Sequence, residues 1–433
     1  LSNLYRNGRR AAIVFGLRTP FIKSGTLIEN LSSLDLGKRV TVELLNRSEV
    51  DPESIGEVIF GTAIPTINTS NLSREIALGA GIPIDVPAYT LSGACLSSFR
   101  AVTNAAEGIM LGNYEVALAG GTESISNMPF LYSERFRKIF KDYARTHNPI
   151  RKLRQMFKLR IQDIVPNSDE IAELSADISM AKYAEQIAKE NRISRNDQDA
   201  FSLRSHKLAL QATEDARLQK ELINLFIPPN FSPAVCFDNG IRKDLRMEDL
   251  SKLKPIYDKI YGSVTEGNSS PLSDGASAVL MMSEEKAEAT GYEPLGYIRS
   301  FAYSARSRKD QILMGPLYST PIALERAGLG LRDIDLIEMH EASASQVLSN
   351  LKAFSSKKFA EERLGKSESI GEIDLDKFNV LGGSIAIGHP SGSTGIRLVI
   401  TILNELKRRG KHFGMVTSCA AGGLGATMIL ERE

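Results

Sequence analysis

The sequence predicts an α/β protein of two halves related by duplication, with layered sheets covered by helices and a mostly helical insertion in the first half. Three observations carry this expectation. The run LNRSEVDPESIGEVIFG from Leu45 lies without gaps on LERAGLGLRDIDLIEMH from Leu324, an offset of 279 residues that puts Arg47 on Arg326 and Ile55 on Ile334. Short β-rich runs alternate with stripes of helical period, the pattern of sheets covered by helices. In the second half, a strand ending near Thr417 reaches the last strand through SCAAGG, whereas Gly121 to Ser273 intervene in the first.

The elements follow in order. Each copy of the repeat reads as a helix end, a turn and a short strand, Glu57 to Phe60 in one and Leu336 to Met339 in the other. A second pair comes next. Cys95 precedes a helical stripe of Phe99, Val102, Ala106 and Ile109 and then the strand Val116 to Ala119. His389 precedes Ile396, Val399, Ile400, Leu403 and Leu406 and then a strand around Met415 and Val416. The third pair closes each half, DGASAVLMM from Asp274 against GLGATMIL from Gly423, with Gly275 opposite Gly425 and Ala276 opposite Ala426. A stretch as long as Gly121 to Ser273 is too long for a plain loop. It is read as a subdomain with helices such as MAKYAEQIAKE and QDAFSLRSHKLALQA. The expected boundaries are 1–122 for the first half, completed by 262–291, then 123–261 for the insertion and 292–433 for the second half.

Composition narrows the function. A chain of 433 residues, 42% hydrophobic and 24% charged, can bury a sizeable core. With 53 Lys and Arg against 52 Asp and Glu, the net charge of +1 argues against a dedicated nucleic-acid binder. Three cysteines are too few for a disulfide framework or Cys-rich zinc binding, and point to a reduced, intracellular setting. No run approaches the roughly 18 apolar residues of a membrane span. Leu1 to Arg10 has arginines but no long apolar run behind it, so it is not read as a secretory signal.

One local bias stands out. Leu131 to Arg160 holds ten basic residues, among them Arg151, Lys152 and Arg154, against the two acids Glu134 and Asp142. Phe136, Ile139, Phe140, Leu153, Met156, Phe157 and Leu159 interleave with them. The segment suits a membrane-surface or partner-binding face, and equally a solvated helix whose apolar side packs on the protein body.

Chemistry rests on few residues. Cys95, in SGACLSSF, precedes a helix whose dipole and free N–H groups favour a thiolate; alone, such a cysteine is more often buried and inert. Cys419, in TSCAAGGLG, lies between a strand and a Gly turn and alone reads as structural. His389 sits in SIAIGHPSGSTG just before a helix. His340 ends an apolar strand in IEMHEASA, which places it at the sheet edge rather than in the core. Either histidine alone fits a structural role equally well. Duplication changes the balance: corresponding strand ends and helix starts of two related halves face one centre, so Cys95 and His389 are expected to oppose each other, with His340 and Cys419 closing the site. Zinc is disfavoured, because these residues lack the short ligand spacings of a zinc site.

At these motifs the sequence resembles the thiolase family over nearly its whole length. The likeness is carried by GLRTPF, SGACLSS, AGGTESIS, SVTEGNSSPLSDGASA, MHEA, GGSIAIGHP and CAAGGLGA. MHEA, with His where many thiolases have Asn, is similar to the branch containing the β subunit of the fatty-acid oxidation complex; FKLRIQDIVP and KFNVLGGS are similar to its bacterial members. The resemblance implies a layered α-β-α-β-α sandwich and an acyltransferase of fatty-acid β-oxidation that cleaves 3-ketoacyl-CoA with CoA, with CoA as substrate and no cofactor or metal.

By that resemblance Cys95 is the nucleophile, His389 takes its proton, and Cys419 protonates the leaving enolate and then deprotonates CoA. His340 helps hold the thioester oxygen through water, and backbone N–H groups near Cys95 and Gly422 hold the tetrahedral oxyanion. Ser269 and His206 are candidate CoA contacts, and Ser343 a candidate lining of the acyl pocket. It also implies a homodimer or dimer of dimers, a hydratase/dehydrogenase α subunit as partner, a peripheral membrane contact through 131–160, and a cytoplasmic place in a bacterium or the mitochondrial matrix in a eukaryote. Three positions depart from the branch: Ser343 where HEAFA has Phe, Ser391 in GHPS, and Glu266 in VTEGN. They bear on the acyl pocket and its entrance. The alternatives are an acetoacetyl-CoA-forming condensing enzyme, a ketosynthase-like one, against which the second cysteine argues, and a weakly active acyl-CoA-binding scaffold subunit.

Overall fold

The computed structural model describes residues 8–67, 69–129, 132–164, 180–307 and 311–433. The first seven residues of the leading stretch, Leu131 of the basic segment, and Val165 and Pro166 of FKLRIQDIVP lie outside the described residues. The strands are β1 (Ala11–Arg18), β2 (Ile22–Lys23), β3 (Glu57–Gly61), β4 (Ala88–Leu91), β5 (Val116–Glu123), β6 (Ser273–Ser283), β7 (Gly296–Ala305), β8 (Leu336–Met339), β9 (Phe413–Ala420) and β10 (Leu424–Glu431).

The duplication is visible in their order. In the first half β3 pairs with β5 in parallel, β5 with β6 antiparallel and β6 with β1 antiparallel. The second half repeats this with β8, β9, β10 and β7. β4 adds an outer parallel strand to the first half, and β2 a short pairing to β6. The two sheets join where Ala12 meets Tyr297 and Ile13 meets Gly296.

Helices complete five layers. The helix Ser33–Ser48, opened by a capping box between Ser32 and Asp35, covers the outer face of the first sheet. The helix Pro316–Ala327 covers β7 and β10. Between the sheets lie the helices Ser97–Met110 and Thr394–Arg409, whose predicted stripes are buried together in one core with Ile13, Val279 and Val416. Their first turns touch: the Ser98 hydroxyl accepts from the Ile396 N–H at 3.3 Å, and a Cβ added at Gly395 would stand 2.5 Å from the Phe99 ring. That approach needs glycine, and it brings the residues just before each helix to one place.

The stretch between β5 and β6 behaves in two ways. From Met180 onward it belongs to the main unit. The buried Arg18 guanidinium pairs with Glu221 at 2.6 Å and with both oxygens of Asp238 at 2.7 and 2.9 Å. Met128–Ser179 forms a separate unit. It holds the helices Glu134–Arg145 and Pro149–Met156, and along the first of them runs a ladder of stacked rings, Tyr132 just before it and then Phe136, Phe140 and Tyr143, with centroids 4.5, 5.8 and 6.1 Å apart. Ile139 is buried, while Ile150, Leu153 and Phe157 are exposed. Among the described residues no helix is long and apolar enough to cross a membrane.

Candidate active site

Cys95 stands in the turn between β4 and the helix Ser97–Met110. Ala94 before it adopts a left-handed φ of 52°, uncommon for a residue with a Cβ and of the kind that collects at functional sites. The turn is held by the Ser97 hydroxyl, which donates to the Ala94 carbonyl at 2.7 Å and accepts from the Gly93 N–H at 3.0 Å. Across the interface, His389 Nε2 lies 3.3 Å from Cys95 Sγ. The expected opposition of the two residues is present.

The neighbours of His389 fix which ring nitrogen carries the proton. The Thr394 hydroxyl donates to the Pro390 carbonyl at 3.1 Å, so its oxygen is left to accept from His389 Nδ1 at 2.7 Å. With the proton on Nδ1, the Nε2 lone pair faces the thiol. Burial, with the Arg397 charge behind it, lowers the imidazole pKa to about 3, so the free ring is neutral and ready to accept a proton.

His340 stacks on His389 with ring centroids 3.9 Å apart. It follows the edge strand β8, yet only 1% of it is exposed, so the sequence expectation of an edge rather than a core position is corrected: loops and helices cover that edge. Its Nδ1 is 2.8 Å from the Ser384 hydroxyl, and its buried Nε2 has no hydrogen-bond partner among the described residues. Burial first, then His389 and Arg397, hold this ring well below the ordinary imidazole pKa. Cys419, at the end of β9, is 1% exposed, and burial together with the nearby Cys95 pushes its thiol far above the usual range. It is therefore a protonated acid at rest.

The remaining sequence candidates sit around this centre. Gly422 lies in the turn between β9 and β10 with φ 79° and ψ 9°, a conformation that favours glycine. Ser269 and Ser343 face each other in an antiparallel bridge, which Ser270 N–H to the Ala342 carbonyl at 3.1 Å and Ala344 N–H to the Asn268 carbonyl at 2.8 Å extend. The Ser343 hydroxyl caps the helix Ala344–Phe354, accepting from the Gln346 N–H at 3.2 Å, and pairs with Ser345. His206 is 3% exposed and accepts from the Arg242 N–H at 3.3 Å; burial, Arg242 and Lys23 lower its pKa to about 4. Lys23 and Arg242 themselves are only partly buried.

Sequence reasoning missed the supporting shell: Thr394, Ser384, Arg397, Glu338 and Glu123. The buried Glu123 carboxyl accepts from Ala63 N–H at 2.8 Å, Ile64 N–H at 3.3 Å, the Thr62 hydroxyl at 3.2 Å and Gly392 N–H at 3.0 Å, tying the loop after His389 to the first half. Burial still pushes it up to about 7. Glu123, Ser384, Thr394 and Glu338 lie in the quoted runs AGGTESIS, GGSIAIGHP, SIAIGHPSGSTG and IEMHEASA, but nothing in the sequence marked them beyond that, and Arg397 lies outside these runs.

Comparison with known proteins gives the family and agrees with the fold. Residues 11–285 match the thiolase N-terminal domain and residues 292–432 the thiolase C-terminal domain. A 3-ketoacyl-CoA thiolase of Yersinia enterocolitica is 50% identical over 428 residues, covering 99% of this chain and 98% of that one. Another of Pseudoalteromonas translucida is 49% identical over 424 residues, covering 98% and 97%. Among solved structures, the Bacillus anthracis acetyl-CoA acetyltransferase superimposes with a TM-score of 0.83 at 32% identity, covering 98% of each chain. Human mitochondrial 3-ketoacyl-CoA thiolase in complex with CoA does so with a TM-score of 0.82 at 29% identity, again over 98% of each. This chain belongs to the thiolase family.

Proposed function

We propose that the chain is an acyltransferase that cleaves 3-ketoacyl-CoA with free CoA, releasing acetyl-CoA and an acyl-CoA two carbons shorter. The observation that carries the residue roles is the 3.3 Å contact between Cys95 Sγ and a neutral His389 Nε2. The thiol proton moves to Nε2 as sulfur attacks the 3-keto carbon. The bond between C2 and C3 then breaks, its electron pair going to C2 as the enolate of acetyl-CoA. Cys419, protonated at rest, delivers its proton to C2. Its thiolate, a strong base because burial disfavours the charge, next takes the proton of incoming CoA. The CoA thiolate attacks the acyl carbon, and Cys95 leaves and recovers its proton from His389.

His340 Nε2 and backbone N–H groups near Cys95 and Gly422 stabilise the oxyanions. CoA lies along the Ser263–Ser269 segment, where Lys23 and Arg242 are cations suited to its phosphates. Lys23 and Arg242 do this better than the buried His206 ring. The basic and apolar side chains exposed on the helices Glu134–Arg145 and Pro149–Met156 support a docking face for an anionic membrane or for a hydratase/dehydrogenase α subunit. A homodimer or dimer of dimers in the cytoplasm of a bacterium, or in the matrix if eukaryotic, completes the reading.

A steady-state thiolysis assay with 3-ketoacyl-CoA substrates of graded length tests the activity; absence of acetyl-CoA release on every substrate would leave a scaffold role. Replacing Arg151, Lys152 and Arg154 with Glu should weaken association with anionic vesicles at low salt, where surface charge acts most strongly. Unchanged vesicle binding with a lost pull-down of the α subunit would favour the protein partner.

A further inference from the structure

We infer that Ser384, backed by Arg397 and Glu338, is a positioning residue that fixes His340 as the tautomer with its proton on Nε2. The inference rests on the functional reading above only for its consequence, not for its geometry. The Arg397 guanidinium can only donate. It is fully buried, gives Nη1 to Glu338 Oε2 at 3.0 Å and gives Nη2 to Ser384 Oγ at 3.3 Å. The Ser384 oxygen is therefore an acceptor on that side, and its own proton points to the one remaining partner, His340 Nδ1 at 2.8 Å. Ser384 makes no other side-chain hydrogen bond among the described residues.

Protonating His340 on Nδ1 would set two donors against one hydroxyl oxygen and leave the buried hydroxyl proton without an acceptor, an arrangement that buried polar groups avoid. Nε2, the nitrogen with no protein partner, thus carries the hydrogen. The two stacked rings hold opposite tautomers. Thr394 gives His389 a free Nε2 lone pair for the thiol, while Ser384 gives His340 an Nε2–H for oxygen. With centroids 3.9 Å apart they cannot both be cationic at low cost. The proton from Cys95 stays on His389, and His340 serves as a neutral donor to the oxygen on which enolate charge develops.

The test uses the full-length enzyme with histidine labelled by nitrogen-15. Two-bond proton–nitrogen correlations distinguish the tautomers, and the five histidines are assigned by single His→Gln variants. The wild type should show His340 protonated on Nε2. Ser384→Ala should move that signal toward Nδ1 protonation and lower kcat for thiolysis by roughly 10-fold or more, an effect of the size expected for a misdirected oxyanion donor, with KM for CoA changed less than about 2-fold. Ser384→Thr, which keeps the hydroxyl, should restore both. A wild-type His340 protonated on Nδ1, a Ser384→Ala enzyme that retains the Nε2 proton, or a shifted tautomer with unchanged kcat overturns the inference. An inactive wild type would sink the functional reading instead, and the spectra would still decide the tautomer.

Discussion

The two halves share a strand order but not a chemistry. Each sets one residue just ahead of a central helix, and those two places face each other; the first half fills its place with Cys95 and the second with His389. A proton transfer needs a donor and an acceptor, and a thiol at one place with a neutral imidazole at the other can supply them. The halves diverge again where the chain leaves the central strand. In the second half β9 passes to β10 through Ala421–Gly423, carrying Cys419 into the site; in the first, β5 leads into some 150 residues before β6. Duplication supplied a scaffold with two converging helix starts. Divergence at a few loop positions supplied the asymmetry that a stepwise reaction requires.

The sharpest way to break the comparison is at the two thiols. Cys95→Ala should abolish covalent acylation and lower kcat by on the order of 10⁴-fold or more, the scale seen when a nucleophile is removed. Cys419→Ala should still acylate slowly while turning over orders of magnitude less. Mass spectrometry of enzyme trapped with 3-ketoacyl-CoA decides: an acyl group on Cys419 would reverse the assignment.

A smaller effect sharpens the contrast between the stacked rings. Thr394→Val keeps the shape but removes the acceptor of His389 Nδ1–H. The ring is then free to place its proton on Nε2, facing the thiol it should deprotonate. A loss of roughly 10- to 100-fold in the rate of acylation is expected, within the range for general-base assistance, measured by single-turnover release of acetyl-CoA. An unchanged rate would mean that burial alone orients the ring.

The smallest effect separates the catalytic centre from the inserted region. The folded-state pKa of His206, about 4, lies below its ordinary 6.5. Between these values the unfolded chain binds a proton that the folded chain refuses, so the contribution of His206 to stability is present above pH 6.5 and is lost as pH falls toward 4. The loss is on the order of a few kcal/mol at most. Comparing Tm against pH for the wild type and His206→Gln isolates it from the carboxylates: the gap should narrow as pH falls below 6.5. Thiolysis at neutral pH should change little, because Lys23 and Arg242 supply the charge.

The repeat, the equivalent strands of the two halves and the four central side chains were legible in the sequence, because each is written in local pattern. A period of hydrophobic residues specifies a strand or a helix, and a repeated run specifies a repeated unit. Arg47 over Arg326 and Gly275 over Gly425 match β3 with β8 and β6 with β10 by sequence alone. Motif resemblance then named Cys95, His389, Cys419 and His340. What the chain order could not show is which hydroxyl lies against which ring. Thr394 is five residues from His389, but Ser384 is forty-four from His340, and Arg397 and Glu338 meet across a helix and a strand. Tautomers are set by hydrogen bonds a few ångströms long, and only packing brings those partners within reach. Ser343 shows the same limit: by sequence it is a candidate lining of the acyl pocket, and only the fold shows its hydroxyl capping the helix Ala344–Phe354. The sequence determined the scaffold and named the candidate side chains; the tertiary structure decided where each proton sits, because that depends on distances between residues far apart along the chain.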